Sequence, residues 1–145
     1  MCPQFADLME KVNGVNTYEI ALSIAAGRRP AIRRRARERR HGAATSFALR
    51  LFKDQVVTRV PDEGEITAFR ERFPGARLKV LCREGYRLPE ELQDGKSYRY
   101  AVLNVGGRYR AGALARCREM LGYLPFAFEP VRLSAGSPRE EKLTT

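Results

Sequence analysis

The sequence predicts an α+β domain that follows helical segments and an arginine-rich arm. Apolar residues recur with helical spacing up to Gly27, arginine dominates positions 28–40, and strand and helix patterns alternate from Ser46 to Leu133. The chain has 145 residues, the length of one domain with appendages. We therefore expect four regions: helical segments over 1–27, the arm over 28–42, an α/β domain over 46–133 and a disordered tail over 134–145.

Two amphipathic helices are predicted before the arm. The first runs from Pro3 to Val12, with apolar residues at positions 5, 8, 9 and 12. Thr17 is suited to cap the second helix, and Gly27 followed by Pro30 marks its end. Pro30 also suits the first turn of a third helix over 31–40. That helix would carry arginine on nearly every side, so it could not bury itself.

The two halves of the α/β region share one order of elements: strand, turn, helix, strand. In the first half, apolar runs at 47–51 and 56–60 predict a hairpin, Asp62 caps a helix, and 77–82 is an apolar strand. In the second half, 97–105 is a strand, 113–121 is an amphipathic helix, and 125–133 is the last strand. A duplicated βαβ unit builds a ferredoxin-like two-layer sandwich, which is the fold we expect.

The arm carries most of the net charge of the chain. All eight of its basic residues are arginine and Glu38 is its only acid, so it holds +7 of the formal +10. A guanidinium group binds phosphate bidentately and stacks on bases, which favours nucleic acid over a membrane surface. We expect RNA as the partner more than DNA. The alternatives are a solvated basic helix and a tail that holds an acidic protein partner. The predicted phosphate contacts are Arg28, Arg29, Arg33, Arg34, Arg35, Arg37, Arg39 and Arg40.

Two tyrosines in the domain are candidates for contacts with bases. Tyr98 and Tyr100 share one face of their predicted strand, and Phe126 and Phe128 share a face of the last strand. Aromatic side chains exposed on a sheet, with arginine nearby, stack single-stranded bases in many proteins. The alternative is that this face is buried under the two helices. The hydroxyl groups make the tyrosines better candidates for a wet face than the phenylalanines.

The sequence favours a non-catalytic protein with no cofactor and no metal. Its cysteines, Cys2, Cys82 and Cys117, lie far apart without a CxxC pair, which excludes a local zinc knuckle and indicates a reducing compartment. His41 is the only histidine, and no constellation of acid, base and nucleophile can be assembled. Without a membrane span or a signal-peptide pattern, we expect an intracellular protein with no membrane partner. A mitochondrial matrix location is compatible with the arginine-rich segment.

One segment resembles a known family. The stretch from Tyr18 to Ile24, followed by Gly27-Arg28 and by Arg33-Arg34-Arg35, resembles the basic motif of the small nucleic-acid-binding proteins of carlavirus- and vitivirus-type plant viruses. Leu49-Arg50-Leu51-Phe52-Lys53 is similar, more loosely, to the vitivirus kind. The resemblance covers about 25 of 145 residues. It implies RNA and DNA binding and, for some relatives, suppression of RNA silencing in the cytoplasm or nucleus of a host cell.

The chain departs from that family directly after the basic run. The family places a cysteine zinc finger there, whereas this chain has His41-Gly42-Ala43-Ala44. A zinc site is therefore not implied for this chain. A second functional class remains open: a non-catalytic subunit of a large ribonucleoprotein or multi-protein assembly, of ribosomal or mitochondrial type. The arm would then thread into ribosomal RNA or grip an acidic protein surface.

Overall fold

The computed structural model describes residues 3–31, 41–91, 93–94 and 96–131, which form an α+β domain with antiparallel sheets. The helices are α1 (Pro3–Asn13), α2 (Thr17–Ala25), α3 (Glu63–Arg72), α4 (Leu88–Glu91) and α5 (Arg110–Leu121). The strands are β1 (Ala43–Leu51), β2 (Gln55–Arg59), β3 (Arg77–Val80), β4 (Gln93–Asp94), β5 (Ser97–Gly107) and β6 (Ala127–Pro130). Within this part of the chain, no helix is long and apolar enough to cross a membrane.

Local capping explains where the predicted helices begin and end. Asp62 and Glu65 form a reciprocal capping box at the start of α3, which confirms the predicted cap. At the start of α2 the prediction of Thr17 is wrong, because the Asn16 side chain accepts from the backbone of Tyr18 and Glu19. Gly27 ends α2 with a positive φ of 67°, as expected for the position after a C-cap.

The long central strand β5 organises the larger sheet. It pairs with β1 along one edge and with β3 and β4 along the other, always antiparallel. Its residues from Ala101 to Gly107 are buried without a break, because helices cover both faces of the sheet. Helix α5 packs on one side, and α1 packs against β1 and β5. The second sheet contains only β2 and β6.

This strand order does not confirm the ferredoxin-like sandwich. The predicted hairpin of β1 and β2 is wrong, because β1 pairs with β5 whereas β2 pairs with β6. The connection at 52–54 sends the two strands into different sheets. Gly106 and Gly107 end β5, and the chain then enters α5. The coarse class is confirmed and the duplicated topology is not.

Two apolar clusters form the core. One lies beneath α3 and α5 and contains Phe69, Phe73, Leu103, Val105, Cys117, Met120 and Leu124. The other joins the two sheets and contains Val57, Cys82 and Leu88. Phe126 packs against both clusters. Cys82, the last residue of the apolar run at 77–82, belongs to this core and is only 4% exposed.

Some predicted regions fall outside the described residues. These are most of the third helix, at 32–40, and the tail at 134–145. The limits of the four regions stay predictions. Strand β1 nevertheless begins at Ala43, before the predicted start of the domain at Ser46, and α1 packs on the sheet. Helix α1 therefore belongs to the same packed domain as the strands.

Candidate nucleic-acid interface

The first two arginines of the arm follow directly from α2. Arg28 donates its backbone N–H to the Ser23 carbonyl at 2.8 Å, and Gly27 donates to Ile24 at 2.9 Å. These two bonds are a Schellman motif, which ends the helix and fixes the direction of the chain beyond it. Arg28 and Arg29 are both exposed at this end. The structure therefore presents the start of the arm to solvent.

Arg33, Arg34, Arg35, Arg37, Arg39 and Arg40 lie outside the described residues.

The arm rejoins the domain at a closely packed histidine. The His41 ring lies against the Gly106 backbone so tightly that a Cβ atom at Gly106 would be 2.1 Å from its Cδ2. A Cβ atom at Gly42 would likewise be 2.1 Å from the Arg108 carbonyl oxygen. Two glycines thus allow the start of β1 and the end of β5 to approach each other. Packing against Gly106 therefore holds His41 in place just before β1 begins.

His41 also lines an open cleft of about 640 Å³. The cleft separates α1 from the end of α3 and the start of β3. Its walls carry the basic side chains Lys11, Arg70 and Arg77 and the acids Asp7 and Glu10. These side chains lie directly beside the point where the arm enters the domain. The remaining lining residues are Gly75, Ala76 and Leu78.

A buried carboxylate organises one wall of this cleft. Asp7 is 5% exposed and accepts hydrogen bonds from Asn104 Nδ2 at 2.8 Å and from Arg77 Nε at 2.9 Å. Lys11, one helical turn after Asp7, forms an ion pair with the same carboxylate. The Asn104 amide also donates to the Gln4 carbonyl at 3.1 Å. Asp7 therefore offsets two of the three basic side chains and ties α1 to β3 and β5.

Arg70 is the third basic side chain of the cleft. It is exposed, and it makes no ion pair with the described residues. Arg77 keeps 64% of its side chain exposed even though its Nε contacts Asp7. Both guanidinium groups can reach an anion at the base of the arm. Sequence patterns gave no sign of this cleft, because its walls come from four separate segments.

The structure places Tyr98 and Tyr100 in a packed environment. The Tyr100 ring meets Phe126 and Phe128 edge-on, with centroid distances of 5.0 Å and 4.9 Å. Burial raises the pKa of the Tyr100 hydroxyl above its ordinary value of 10.0. Tyr98 is partly buried in the same cluster. This packing supports the alternative of a buried face, although the phenylalanines of the last segment cover it rather than the two helices.

Other aromatic side chains are open to solvent. Tyr86 is 45% exposed and the Arg83 guanidinium lies over its ring, 4.3 Å from the centroid. Tyr123 is 52% exposed and has Arg72 at 5.9 Å. An exposed ring beside a guanidinium group is suited to stack a base. Sequence reasoning missed both pairs. The available signal for one of them was the arginine three residues before Tyr86.

The described residues offer little for metal chemistry. They contain no group of three or more histidine, cysteine or acidic side chains placed to hold a metal ion. Cys82 and Cys117 are buried, and no disulfide joins them. Burial raises the pKa of the Cys117 thiol above its ordinary value of 9.0, which keeps the thiol protonated at neutral pH.

Comparison with known proteins found no relative of this chain. No protein-family model, no curated protein and no solved structure matches the chain. The resemblance to the plant-virus proteins therefore rests on the basic motif alone.

Proposed function

We propose that this chain is a non-catalytic nucleic-acid-binding protein that binds mostly RNA through the arginine-rich arm. The observation that carries this proposal is the placement of charge: the arm holds +7 of the formal +10 within thirteen residues. Outside it the chain is close to neutral. Because eight guanidinium groups contact phosphates and not base edges, we expect little sequence preference.

The folded domain supports this proposal at both ends of the arm. Arg28 and Arg29 leave α2 exposed to solvent, and His41 is packed where the chain re-enters the domain. Arg70 and Arg77 lie in the cleft beside His41 and extend the basic surface onto the fold. A strand of nucleic acid held by the arm would thus meet further guanidinium groups. The exposed pair of Tyr86 and Arg83 offers a stacking surface for an unpaired base.

A salt series tests the proposal. Each neutralised phosphate contributes about −0.7 to the slope of log affinity on log salt for single strands, so eight contacts give about −5 to −6. Affinity for short RNA should then fall at least about a thousandfold between about 50 and 200 mM salt. Filter binding with single- and double-stranded RNA and DNA measures this slope. A flat slope, or no binding at low salt, contradicts the proposal.

Matched charge removals locate the interface. Replacing Arg33, Arg34 and Arg35 by Gln should reduce the magnitude of the slope by about 2. The control removes the same charge elsewhere, at the exposed residues Lys53, Lys96 and Arg118. We expect the control variant to keep nearly the full slope. Equal losses in the two variants would mean that net charge, and not the arm, drives binding.

The alternative role in a large assembly makes a different prediction. Such a subunit should be insoluble in isolation and be rescued only by its partner, whereas the proposed protein should be monodisperse and shift short oligonucleotides.

The resemblance to the plant-virus proteins adds suppression of host RNA silencing as the process we propose. A reporter-silencing assay in leaf tissue tests it, with the Arg33, Arg34 and Arg35 to Gln variant expected to lose suppression.

A further inference from the structure

The turn that joins β5 to α5 carries an exposed aromatic ring between two arginines. It consists of Arg108, Tyr109 and Arg110, all of which are exposed. The sequence from 95 to 118 contains six basic residues and no acidic one. Neither Arg108 nor Arg110 forms an ion pair with any residue that the structure describes. The turn therefore presents positive charge on both sides of an exposed ring.

The position of the Tyr109 ring is fixed although the residue is 62% exposed. Its backbone carbonyl accepts a hydrogen bond from the Ala113 N–H at 3.1 Å in the first turn of α5. Three carbons of its ring lie 3.7–3.9 Å from the point where a Cβ atom would stand at Gly112. One side of the ring thus rests on the helix. A ring that is already held in place can stack a base without first losing its own freedom.

Arg116 brings a third guanidinium group to the same end of the domain. It lies one helical turn beyond Gly112 and therefore on the same face of α5. Its Nη1 donates to the Gly106 carbonyl at 3.3 Å, and Gly106 is the residue against which His41 packs. We use the name α5 patch for Arg108, Tyr109, Arg110 and Arg116.

The α5 patch lies where the arm joins the domain. A Cβ atom at Gly42 would be 2.1 Å from the Arg108 carbonyl oxygen, so the two backbones are in direct contact. Arg40, the last arginine of the arm, precedes Gly42 by two residues, which span at most about 7 Å. A nucleic-acid strand bound by the end of the arm therefore passes within reach of the patch.

We propose that the α5 patch binds an unpaired nucleotide of single-stranded RNA. The base stacks on Tyr109, and the guanidinium groups of Arg108, Arg110 and Arg116 contact the neighbouring phosphates. This inference rests on the proposed function and adds a preference to it. The arm contacts phosphates of single and double strands alike, whereas only an unpaired base can reach the ring. An acidic peptide would match the charges but leave the ring unused, which is why we choose RNA over an acidic protein.

A single-tryptophan variant of the full chain tests stacking directly. The chain contains no tryptophan, so Tyr109→Trp places one fluorophore in the patch. Single-stranded RNA of about ten nucleotides should quench its emission. Inorganic polyphosphate of similar charge has no bases and should leave the emission unchanged when it saturates the arm. Equal quenching by polyphosphate overturns stacking, and equal quenching by polyglutamate overturns the proposal and assigns the patch to an acidic protein.

The matched control for this experiment is Phe52→Trp. Phe52 is 74% exposed and follows the far end of β1, about 30 Å from the start of that nine-residue strand beside the arm. Its tryptophan should not be quenched by RNA or by polyphosphate. Quenching of both tryptophans by RNA would mean that bases contact the surface without a preferred site, which overturns the proposal.

Affinity measurements then separate the patch from the arm. Tyr109→Ala should weaken binding of single-stranded RNA about fivefold to a hundredfold and leave duplex binding nearly unchanged, whereas Tyr109→Phe should keep both affinities. Circular dichroism of these variants should match the wild type. If RNA binds with a steep salt dependence but Tyr109→Ala keeps the full affinity for single strands, the patch proposal is overturned and the arm proposal stands. If the wild-type chain binds no RNA at low salt, both are overturned.

Discussion

The carboxylate of Asp7 on α1 lies 2.9 Å from Nε of Arg77 at the start of β3. This contact connects the first helix to the edge of the larger sheet, and the Asn104 amide on the central strand reaches the same carboxylate at 2.8 Å. A single acidic side chain thus joins three elements that are far apart in sequence. It also leaves the Arg77 guanidinium largely exposed toward the cleft. Asp7 therefore contributes both to the stability of the domain and to the position of Arg77 at the base of the arm.

Removing that carboxylate should destabilise the domain. Asp7→Ala leaves the buried Lys11 ammonium without its carboxylate partner and removes one of the two acceptors of the Asn104 amide. We expect a loss of about 3 kcal/mol in the free energy of unfolding. Urea unfolding followed by circular dichroism measures the loss. Glu10→Ala is the control, since Glu10 is exposed on the same helix, and should change stability by less than about 0.5 kcal/mol. Equal effects of the two variants would contradict a structural role for the Asp7 cluster.

The contact between His41 and Gly106 should give a measurable coupling free energy between substitutions at these two positions. A methyl group at Gly106 would overlap the His41 ring, so Gly106→Ala should cost about 1–3 kcal/mol. Removing the ring with His41→Ala in the same chain should recover most of that loss, which a double-mutant cycle detects. Gly112→Ala is the matched substitution, because a Cβ there meets only ordinary contacts at 3.7–3.9 Å inside α5, and it should stabilise the helix by about 0.5–1 kcal/mol.

The ion pair of Asp54 and Arg87 should make stability depend on pH. Hydrogen bonds from the Arg87 guanidinium lower the pKa of the Asp54 carboxyl below its usual value of 3.8. A carboxyl whose folded-state pKa is depressed adds stability above its unfolded-state pKa, and that stability is lost as the pH falls through the folded-state pKa. The free energy of unfolding should therefore decrease more steeply below about pH 4 in the wild type than in Asp54→Asn. Urea titrations across this range measure the difference.

The same pH range provides an internal check on that pair. Arg87→Gln removes the donor instead of the acceptor and should flatten the same part of the pH profile. Combining Arg87→Gln with Asp54→Asn should then flatten it no further. A profile that stays as steep in Asp54→Asn as in the wild type would show that other groups cause the acid sensitivity.

Substitution of Tyr86 should affect RNA binding alone, whereas substitution of Tyr100 should affect stability. Tyr86→Ala removes an exposed ring that carries the Arg83 guanidinium, and it should weaken binding of single-stranded RNA by about 1–3 kcal/mol at unchanged stability. Tyr86→Phe keeps the ring and should keep the affinity. Tyr100→Ala removes a ring packed between Phe126 and Phe128 and should lower the free energy of unfolding by about 2–4 kcal/mol. Unchanged RNA affinity in Tyr86→Ala would exclude a stacking role for this pair.

Much of the local structure could be predicted from the residues alone. The capping box of Asp62 and Glu65, the end of α2 at Gly27 and the burial of Cys82 all follow from short patterns. The cleft could not be predicted in this way. The sequence pattern places Asp7 and Lys11 on the polar face of an amphipathic helix, where side chains are expected to be exposed. Both are buried, whereas the apolar Phe5 is 57% exposed. The reason is that Arg77 and Asn104 supply partners for Asp7 that only the folded chain brings near.

The sequence by itself determined the α+β class, the start of α3, the end of α2 and the concentration of charge in the arm, because each depends on residues within a few positions of one another. The tertiary structure alone decided that β1 pairs with β5 and β2 with β6, that Tyr100 packs against Phe126 and Phe128, and that α2 has no buried residue. Strand pairing and burial depend on contacts between distant segments. Their free energy is a property of the assembled domain, and no local pattern encodes it.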